Sequence, residues 1–139
     1  MAFKILCIDH VGIAVASLES VKAAMANLGL KPTSGDEIVA DQKVKVSFFK
    51  LGETEMEFLE STQPDGPIAK FIDKNNGHNG FQHMALRVDN IDNALADLQA
   101  AGVRVIDKAP RYGAGGCRIG FLHPKATDGI LLELTQRQK

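Results

Sequence analysis

The sequence has little of what would mark a nucleic-acid-binding, membrane-spanning or disulfide-rich protein. It contains two cysteines, no tryptophan and one tyrosine, and its net charge is −1. So small a net charge gives no electrostatic reason to expect nucleic acid or an anionic membrane as a partner. The apolar runs also fall short of the roughly 20 residues that a membrane-spanning helix needs.

The few cysteines and the first residues favour a cytoplasmic protein. Cys7 and Cys117 form no CxxC motif, and we expect both to be free thiols of a reducing compartment. The first residues run directly into a β-like segment that reaches the charged pair Asp9-His10. They lack the long apolar core and the cleavage site of a secretory signal.

What the sequence does have is the composition of one globular domain. Its length of 139 residues is that of an ordinary domain, and its 45% hydrophobic and 24% charged residues are typical of a soluble fold. We therefore expect residues 1–139 to form a single domain.

The chain also repeats itself, and each copy begins with a histidine and ends with a glutamate. His10 aligns with His83 at an offset of 73 residues, and the apolar pattern follows the same offset. Three extra residues in the second copy then bring Glu57 onto Glu133 at an offset of 76. A duplicated module buries its apolar face against its twin, which brings equivalent residues together. Two histidines and two glutamates that meet at a pseudo-twofold axis would form a metal site.

Each copy reads as a strand, a helix and then several strands. Residues 5–15 are rich in β-branched residues and predict the first strand. Ser17 and Asn90 precede apolar residues at helical spacing and predict N-caps, and Gly29 and Gly102 predict where both helices end. Paired strands are predicted at residues 44–51 with 54–59, and at residues 118–122 with 129–134.

A linker helix is predicted between the copies. Pro67 suits the first turn of a helix, and Ile68 and Phe71 lie on one apolar face of it. The first module therefore covers about residues 5–61, the linker helix about 65–75, and the second module about 79–136. The predicted fold class is α+β, with two tandem βαβββ modules related by a pseudo-twofold and curved mixed sheets around one metal-binding cavity.

Strand alternation places the candidate ligands away from the faces that pack on helices. His10 shares its side of the first strand with the small residues Gly12 and Ala14, and Glu57 and Glu133 each interrupt an otherwise apolar strand. Two imidazoles and two carboxylates suit Co²⁺, Ni²⁺, Zn²⁺, Mn²⁺ or Fe²⁺ and do not choose among them. Four protein ligands would leave a six-coordinate ion two positions for substrate oxygens.

Three other features leave their roles open. His78 lies in a polar loop, where we expect it to be solvated, and His123 precedes Pro124 in a turn, where it either contacts a ligand or is structural. The glycine-rich stretch 111–118 is flanked by arginines. It is either a flexible hairpin loop or the mouth of a pocket that places arginine near phosphate or carboxylate.

Duplicated βαβββ modules with His and Glu ligands resemble the vicinal oxygen chelate superfamily, which includes glyoxalase I and bleomycin resistance proteins. Within it, the chain resembles the methylmalonyl-CoA epimerases over nearly its whole length. The resemblance is carried by residues 8–15, 66–71 and 83–91, and most specifically by the run from Gly113 through His123-Pro124-Lys125 to Glu133.

The resemblance implies a divalent ion, with Co²⁺ as our first choice, held by His10, Glu57, His83 and Glu133. It implies an isomerase that epimerises (2R)- and (2S)-methylmalonyl-CoA by proton transfer at C2, through an enolate that the metal stabilises. Glu133 is the predicted base. Glu57, related to Glu133 by the pseudo-twofold, is the candidate second base; the strand 45–48 has no carboxylate where some members carry one.

Two alternatives to this activity stay open: glyoxalase I, and a metal-free protein that sequesters small molecules. The resemblance also implies a homodimer. Because one chain contains both copies of the repeat, we expect one complete site per chain, with an acyl-CoA substrate as the partner and neither nucleic acid nor membrane.

Overall fold

The computed structural model describes residues 1–138 and shows an α+β fold. Its helices are α1 (Leu18–Ala26), α2 (Pro67–Lys74) and α3 (Ile91–Ala100). Its strands are β1 (Ile5–Ala14), β2 (Glu37–Val39), β3 (Val44–Leu51), β4 (Thr54–Ser61), β5 (Gly80–Val88), β6 (Arg111–Tyr112), β7 (Arg118–Phe121) and β8 (Leu132–Gln136). Within residues 1–138, every helix is too short or too polar to cross a membrane.

The order of elements repeats as predicted. The chain reads β1-α1-β2-β3-β4, then the linker helix α2, then β5-α3-β6-β7-β8, which is βαβββ twice. The short strands β2 and β6 carry too few residues to show an alternating pattern, so the sequence did not locate them.

One predicted strand begins later than expected. We predicted extended chain from Gly129, but β8 begins at Leu132. Asp128 and Gly129 have positive φ angles of 57° and 92°, which bend the backbone out of the extended conformation before the strand starts.

The predicted ends of α1 and α3 are confirmed. The side chain of Ser17 accepts a hydrogen bond from the backbone N–H of Ser20, and that of Asn90 accepts one from Asn93. Past the helix ends, Gly29 and Gly102 have φ angles of 79° and 84°, a left-handed conformation that favours glycine.

The chain divides into two compact units. Among the described residues, the first unit contains residues 11–82, and the second unit contains residues 1–10 and 83–138. The start of β1, including His10, therefore belongs to the same unit as β5 to β8. The module boundaries predicted from the repeat stay a prediction.

In the first unit, one face of the strands packs on α1. The strand order is β2-β3-β4-β1, and β3 pairs with β4 in antiparallel register. The core contains Val15, Leu18, Phe49 and Phe58, and Ile13 of β1 packs against it. Large side chains of β1, β3 and β4 thus pack on the helix, as the alternation predicts for β1 and β4.

In the second unit, the strand order is β1-β5-β8-β7-β6, with β5 and β8 parallel and β7 and β8 antiparallel. Its core joins α3 to the same face of β5 and β8 through Val88, Leu95 and Leu134. Gly120 on β7 allows the close approach of the helix, because a Cβ there would lie 3.0 Å from a methyl carbon of Leu95.

Candidate metal centre

Three of the four predicted ligands meet in the second unit. His10 on β1, His83 on β5 and Glu133 on β8 are all buried, and their ligand atoms lie within 4.8 Å of one another. Nε2 of His10 is 3.2 Å from Nε2 of His83. Each of these nitrogens lies 3.4 Å from an oxygen of Glu133, His10 from Oε2 and His83 from Oε1.

Strand register explains why these side chains converge. Glu133 lies directly between Ala85 on β5 and Phe121 on β7, its partners in the parallel and antiparallel ladders. His83 is two residues before Ala85, so it points to the same face of the sheet as Glu133. The apolar residues Leu134 and Val88 occupy the opposite face, where they pack on α3.

The residues present fit a divalent ion. Metal–nitrogen bonds of about 2.0–2.1 Å place neighbouring ligand atoms roughly 3.0–3.4 Å apart, depending on the coordination geometry. The three separations of 3.2, 3.4 and 3.4 Å agree with this spacing. Two imidazoles and one carboxylate are also the donors that Co²⁺, Ni²⁺, Zn²⁺, Mn²⁺ and Fe²⁺ accept.

A network of charged residues behind His10 was not foreseen from the sequence. Nδ1 of His10 lies 2.7 Å from Oδ1 of Asp9. Oδ2 of Asp9 accepts hydrogen bonds from Nε of Arg87 at 2.8 Å and from Nε of Arg137 at 2.7 Å. One signal was available: Arg87 follows His83 by four residues on β5 and so points to the same side of that strand, and Arg137 follows Glu133 at the same spacing, one residue past β8.

These contacts keep Asp9 ionised. Burial alone would raise the pKa of its carboxyl group, but hydrogen bonds from His10, Arg137 and Arg87 together hold this pKa well below the ordinary value of 3.8. An ionised carboxylate only accepts hydrogen bonds, so Nδ1 of His10 carries a proton and Nε2 is the nitrogen left to bind a metal.

His83 has a different environment. Its ring meets the ring of Phe121 edge-on, with centroids 5.5 Å apart. Burial, together with the neighbouring His10, lowers the pKa of His83 to about 3. The ring is therefore neutral at ordinary pH, and this is the form in which histidine binds a metal.

Glu57 lies on β4 of the first unit, where it is buried with 6% of its surface exposed. It is in register with Phe48 on β3, and its neighbours Met56 and Phe58 belong to the core on α1, as alternation predicts. Its role as fourth ligand and second base stays a prediction, as does the catalytic role of Glu133.

The other residues whose roles the sequence leaves open lie in turns and loops. His78 is exposed, and Nδ1 of His123 accepts a hydrogen bond from the backbone N–H of Lys125 within a turn. In the glycine-rich stretch, Arg111 pairs with Asp107 and Arg118 pairs with Asp92; these two ion pairs are at 3.0 Å and 2.7 Å. Both cysteines are free thiols.

Known proteins resemble the chain over most of its length. It is 38% identical over 129 residues to a mitochondrial methylmalonyl-CoA epimerase of Homo sapiens, covering 93% of this chain and 73% of that protein. It is 38% identical over 135 residues to an ethylmalonyl-CoA/methylmalonyl-CoA epimerase of Cereibacter sphaeroides, covering 93% and 96% of the two chains.

A solved structure of methylmalonyl-CoA epimerase in complex with methylmalonyl-CoA and NH₄⁺ has the same fold. The TM-score is 0.89 at 34% identity, and the alignment covers 96% of this chain and 95% of the other. These matches confirm the predicted fold class and the predicted resemblance to isomerases of the epimerase type. Residues 9–121 also match a family model, and the chain belongs to the glyoxalase/bleomycin resistance protein/dioxygenase superfamily.

Proposed function

We propose that this protein epimerises (2R)- and (2S)-methylmalonyl-CoA by moving a proton at C2, with the help of a divalent metal ion. The observation that carries the proposal is the likeness to an epimerase solved with methylmalonyl-CoA, which extends over 96% of the chain. The buried cluster of His10, His83 and Glu133 supplies the residues that metal-assisted proton transfer requires.

His10, His83 and Glu133 would hold the ion, and we propose Glu57 as a fourth ligand. When bound, a divalent ion acts as a Lewis acid that stabilises negative charge developing on the thioester oxygen of the substrate. Co²⁺ is our first choice, and Ni²⁺, Zn²⁺, Mn²⁺ and Fe²⁺ suit the same donors.

Glu133 is the proposed base. A carboxylate has two oxygens, so Glu133 can ligate through one and accept the C2 proton on the other. Inversion requires proton exchange on both faces of the planar carbon, and Glu57, the repeat equivalent of Glu133, is the proposed second base. The described part of β3 next to β4 offers Lys45 and Ser47 but no carboxylate.

The deciding experiment compares substrates on the protein loaded with Co²⁺. We expect interconversion of the two methylmalonyl-CoA epimers and deuterium uptake at C2 in D₂O. Ethylmalonyl-CoA belongs in the same assay, because the relative from Cereibacter sphaeroides is named for both substrates. Turnover of the methylglyoxal–glutathione hemithioacetal without any on methylmalonyl-CoA would replace the proposal with glyoxalase I.

Metal analysis separates an enzyme from a sequestration protein. We expect protein purified without chelator to contain up to one divalent ion per chain, and the chelated protein to bind Co²⁺ again. Protein that takes up neither Co²⁺ nor Ni²⁺ and turns over neither substrate would favour sequestration of a small molecule.

We further propose a cytoplasmic homodimer with one complete site per chain. The three clustered ligands come from a single chain, and both cysteines are free, as in reducing compartments. Co-expressing His10→Ala chains with Glu133→Gln chains tests the site. Mixed dimers should stay inactive, whereas recovered activity would show that the site is shared between chains. Sedimentation of the wild type and cell fractionation test the dimer and the compartment.

A further inference from the structure

Asp9 is a buried charged residue beside the candidate metal centre, held by several hydrogen bonds. Only 2% of its surface is exposed. Its carboxylate receives Nδ1–H of His10 at 2.7 Å, Nε of Arg87 at 2.8 Å, and both Nε and Nη2 of Arg137 at 2.7 and 3.3 Å. A buried carboxylate is tolerated when it is paired and hydrogen-bonded in this way.

The repeat shows that this network is not needed by the fold of a module. The first copy has Ala14 where the second has Arg87, and Ser61 where the second has Arg137. The second copy has Gln82 where the first has Asp9. The two copies thus differ at every position of the network while they retain the histidine and the glutamate.

We propose that Asp9 is a positioning residue for the metal site, and that Arg87 and Arg137 clamp its carboxylate so that Nε2 of His10 faces His83 and Glu133 in one fixed orientation. This inference rests on the proposed metal site. Asp9 does not touch the ion or the substrate. It acts through His10 by fixing the ring and its tautomer, with the proton on Nδ1.

The two arginines give the carboxylate a defined place. Arg137 donates through two nitrogens to both oxygens of Asp9, and Arg87 donates to Oδ2. Forked contacts of this kind restrict orientation more than a single point charge would. Oδ1 of Asp9 is thereby directed at Nδ1 of His10, which holds the ring from the side opposite to the site.

The test measures the affinity for Co²⁺ alone, by competition with a chelator, in the full chain. We expect Asp9→Asn to weaken the affinity roughly 10- to 100-fold, the usual loss when a partner behind a ligand histidine is removed. Asp9→Glu retains the charge and should recover part of that loss. Asp92→Asn is the matched control, because it removes a carboxylate from an exposed pair with Arg118 in the same unit and should leave the affinity unchanged.

A second readout does not depend on metal. In the metal-free wild type, the ¹⁵N spectrum of the His10 imidazole should show one tautomer with the proton on Nδ1. In Asp9→Asn the spectrum should shift to a mixture of tautomers, which a merely structural loss of stability would not produce. If Asp9→Asn does not fold, Arg137→Gln replaces it and should give a smaller loss of affinity and the same mixture.

The outcomes separate this inference from the proposed function. A wild type that binds Co²⁺ and epimerises its substrate, beside an Asp9→Asn or Arg137→Gln variant of equal affinity and unchanged tautomer, would overturn the positioning role alone. A wild type that binds no Co²⁺ would overturn the metal site and this inference together.

Discussion

The two histidines of the repeat occupy equivalent positions, but their surroundings differ in charge. His10 adjoins the ionised Asp9, which Arg87 and Arg137 hold in place. His83 instead faces the ring of Phe121. The ring of His10 is therefore held by an ionic network, whereas the ring of His83 meets an aromatic ring.

A duplicated module can thus preserve its candidate ligands while their surroundings diverge. The histidine and the glutamate are retained in both copies, His10 with His83 and Glu57 with Glu133. The charged network has diverged, because the second copy has Gln82 where the first has Asp9. Burial, together with the neighbouring His10, keeps His83 neutral, with a pKa of about 3.

The largest effect is expected at Glu133, whose two oxygens lie 3.4 Å from Nε2 of His10 and of His83. Glu133→Gln retains the shape of the side chain but removes the proton acceptor. We expect turnover to fall by about 10²–10⁴-fold or more, the usual contribution of a positioned base. The measurement is deuterium exchange at C2 together with epimer interconversion. Glu19→Gln, at an exposed position of α1, is the matched control. Near-normal exchange in Glu133→Gln would contradict the assignment as base.

Removing either histidine should weaken metal binding strongly, because both are candidate ligands. We expect His10→Ala and His83→Ala each to weaken Co²⁺ binding by more than the roughly 100-fold that loss of a partner behind a ligand can cause. Equilibrium dialysis against Co²⁺ measures this loss. His78→Ala, at an exposed loop histidine, should bind like the wild type. Retained affinity in either ligand variant would remove that histidine from the site.

The pH dependence of stability should distinguish the two environments in the metal-free protein. The pKa of His83 is about 3 in the folded chain against an ordinary 6.5, so between these values the unfolded chain binds a proton that the folded chain excludes. The free energy of unfolding therefore falls as the pH drops below 6.5, by roughly 2–3 kcal/mol from about pH 6 to about pH 4. Below about pH 3 this contribution stops changing.

Urea unfolding at several pH values measures this slope, with His83→Gln as the comparison. The variant should lose most of the slope between about pH 6 and about pH 4. Asp9 adds its own loss only below its ordinary pKa of 3.8, because the unfolded chain then binds a proton that the folded carboxylate excludes. An identical slope in wild type and variant would show that another group titrates in this window.

The sequence predicted the parts of the site that follow from periodicity. The 73-residue offset paired His10 with His83, and strand alternation placed Glu133 on the same face. Both features are local or repeated, so they can be read without knowing how strands pair. The same reasoning predicted the caps at Ser17 and Asn90, which the structure confirms.

The charged network could not be predicted because it depends on register between distant strands. Arg87 on β5 is opposite Thr135 on β8, and this pairing brings it close to Arg137, 50 residues later in the chain. Asp9 then reaches both arginines from β1, over separations of 78 and 128 residues. Alternation shows which side a residue faces, but not which residue lies opposite.

The smallest expected effect concerns Phe121, the counterpart of Asp9 on the His83 side. Phe121→Leu retains an apolar side chain but removes an edge-to-face ring pair worth about 0.5–1.5 kcal/mol. We expect a loss of stability of this size and a loss of Co²⁺ affinity below tenfold, smaller than that of Asp9→Asn, because a ring contact restricts the imidazole less than a charged hydrogen bond does.

Phe49→Leu is the matched control, since Phe49 forms a similar edge-to-face pair with Phe58 at 5.4 Å in the core of the first unit. It should cost comparable stability in urea unfolding without changing Co²⁺ affinity. If Phe121→Leu weakened Co²⁺ binding as much as Asp9→Asn, packing would orient His83 as firmly as the ionic network orients His10, and the contrast between the two sides would be wrong.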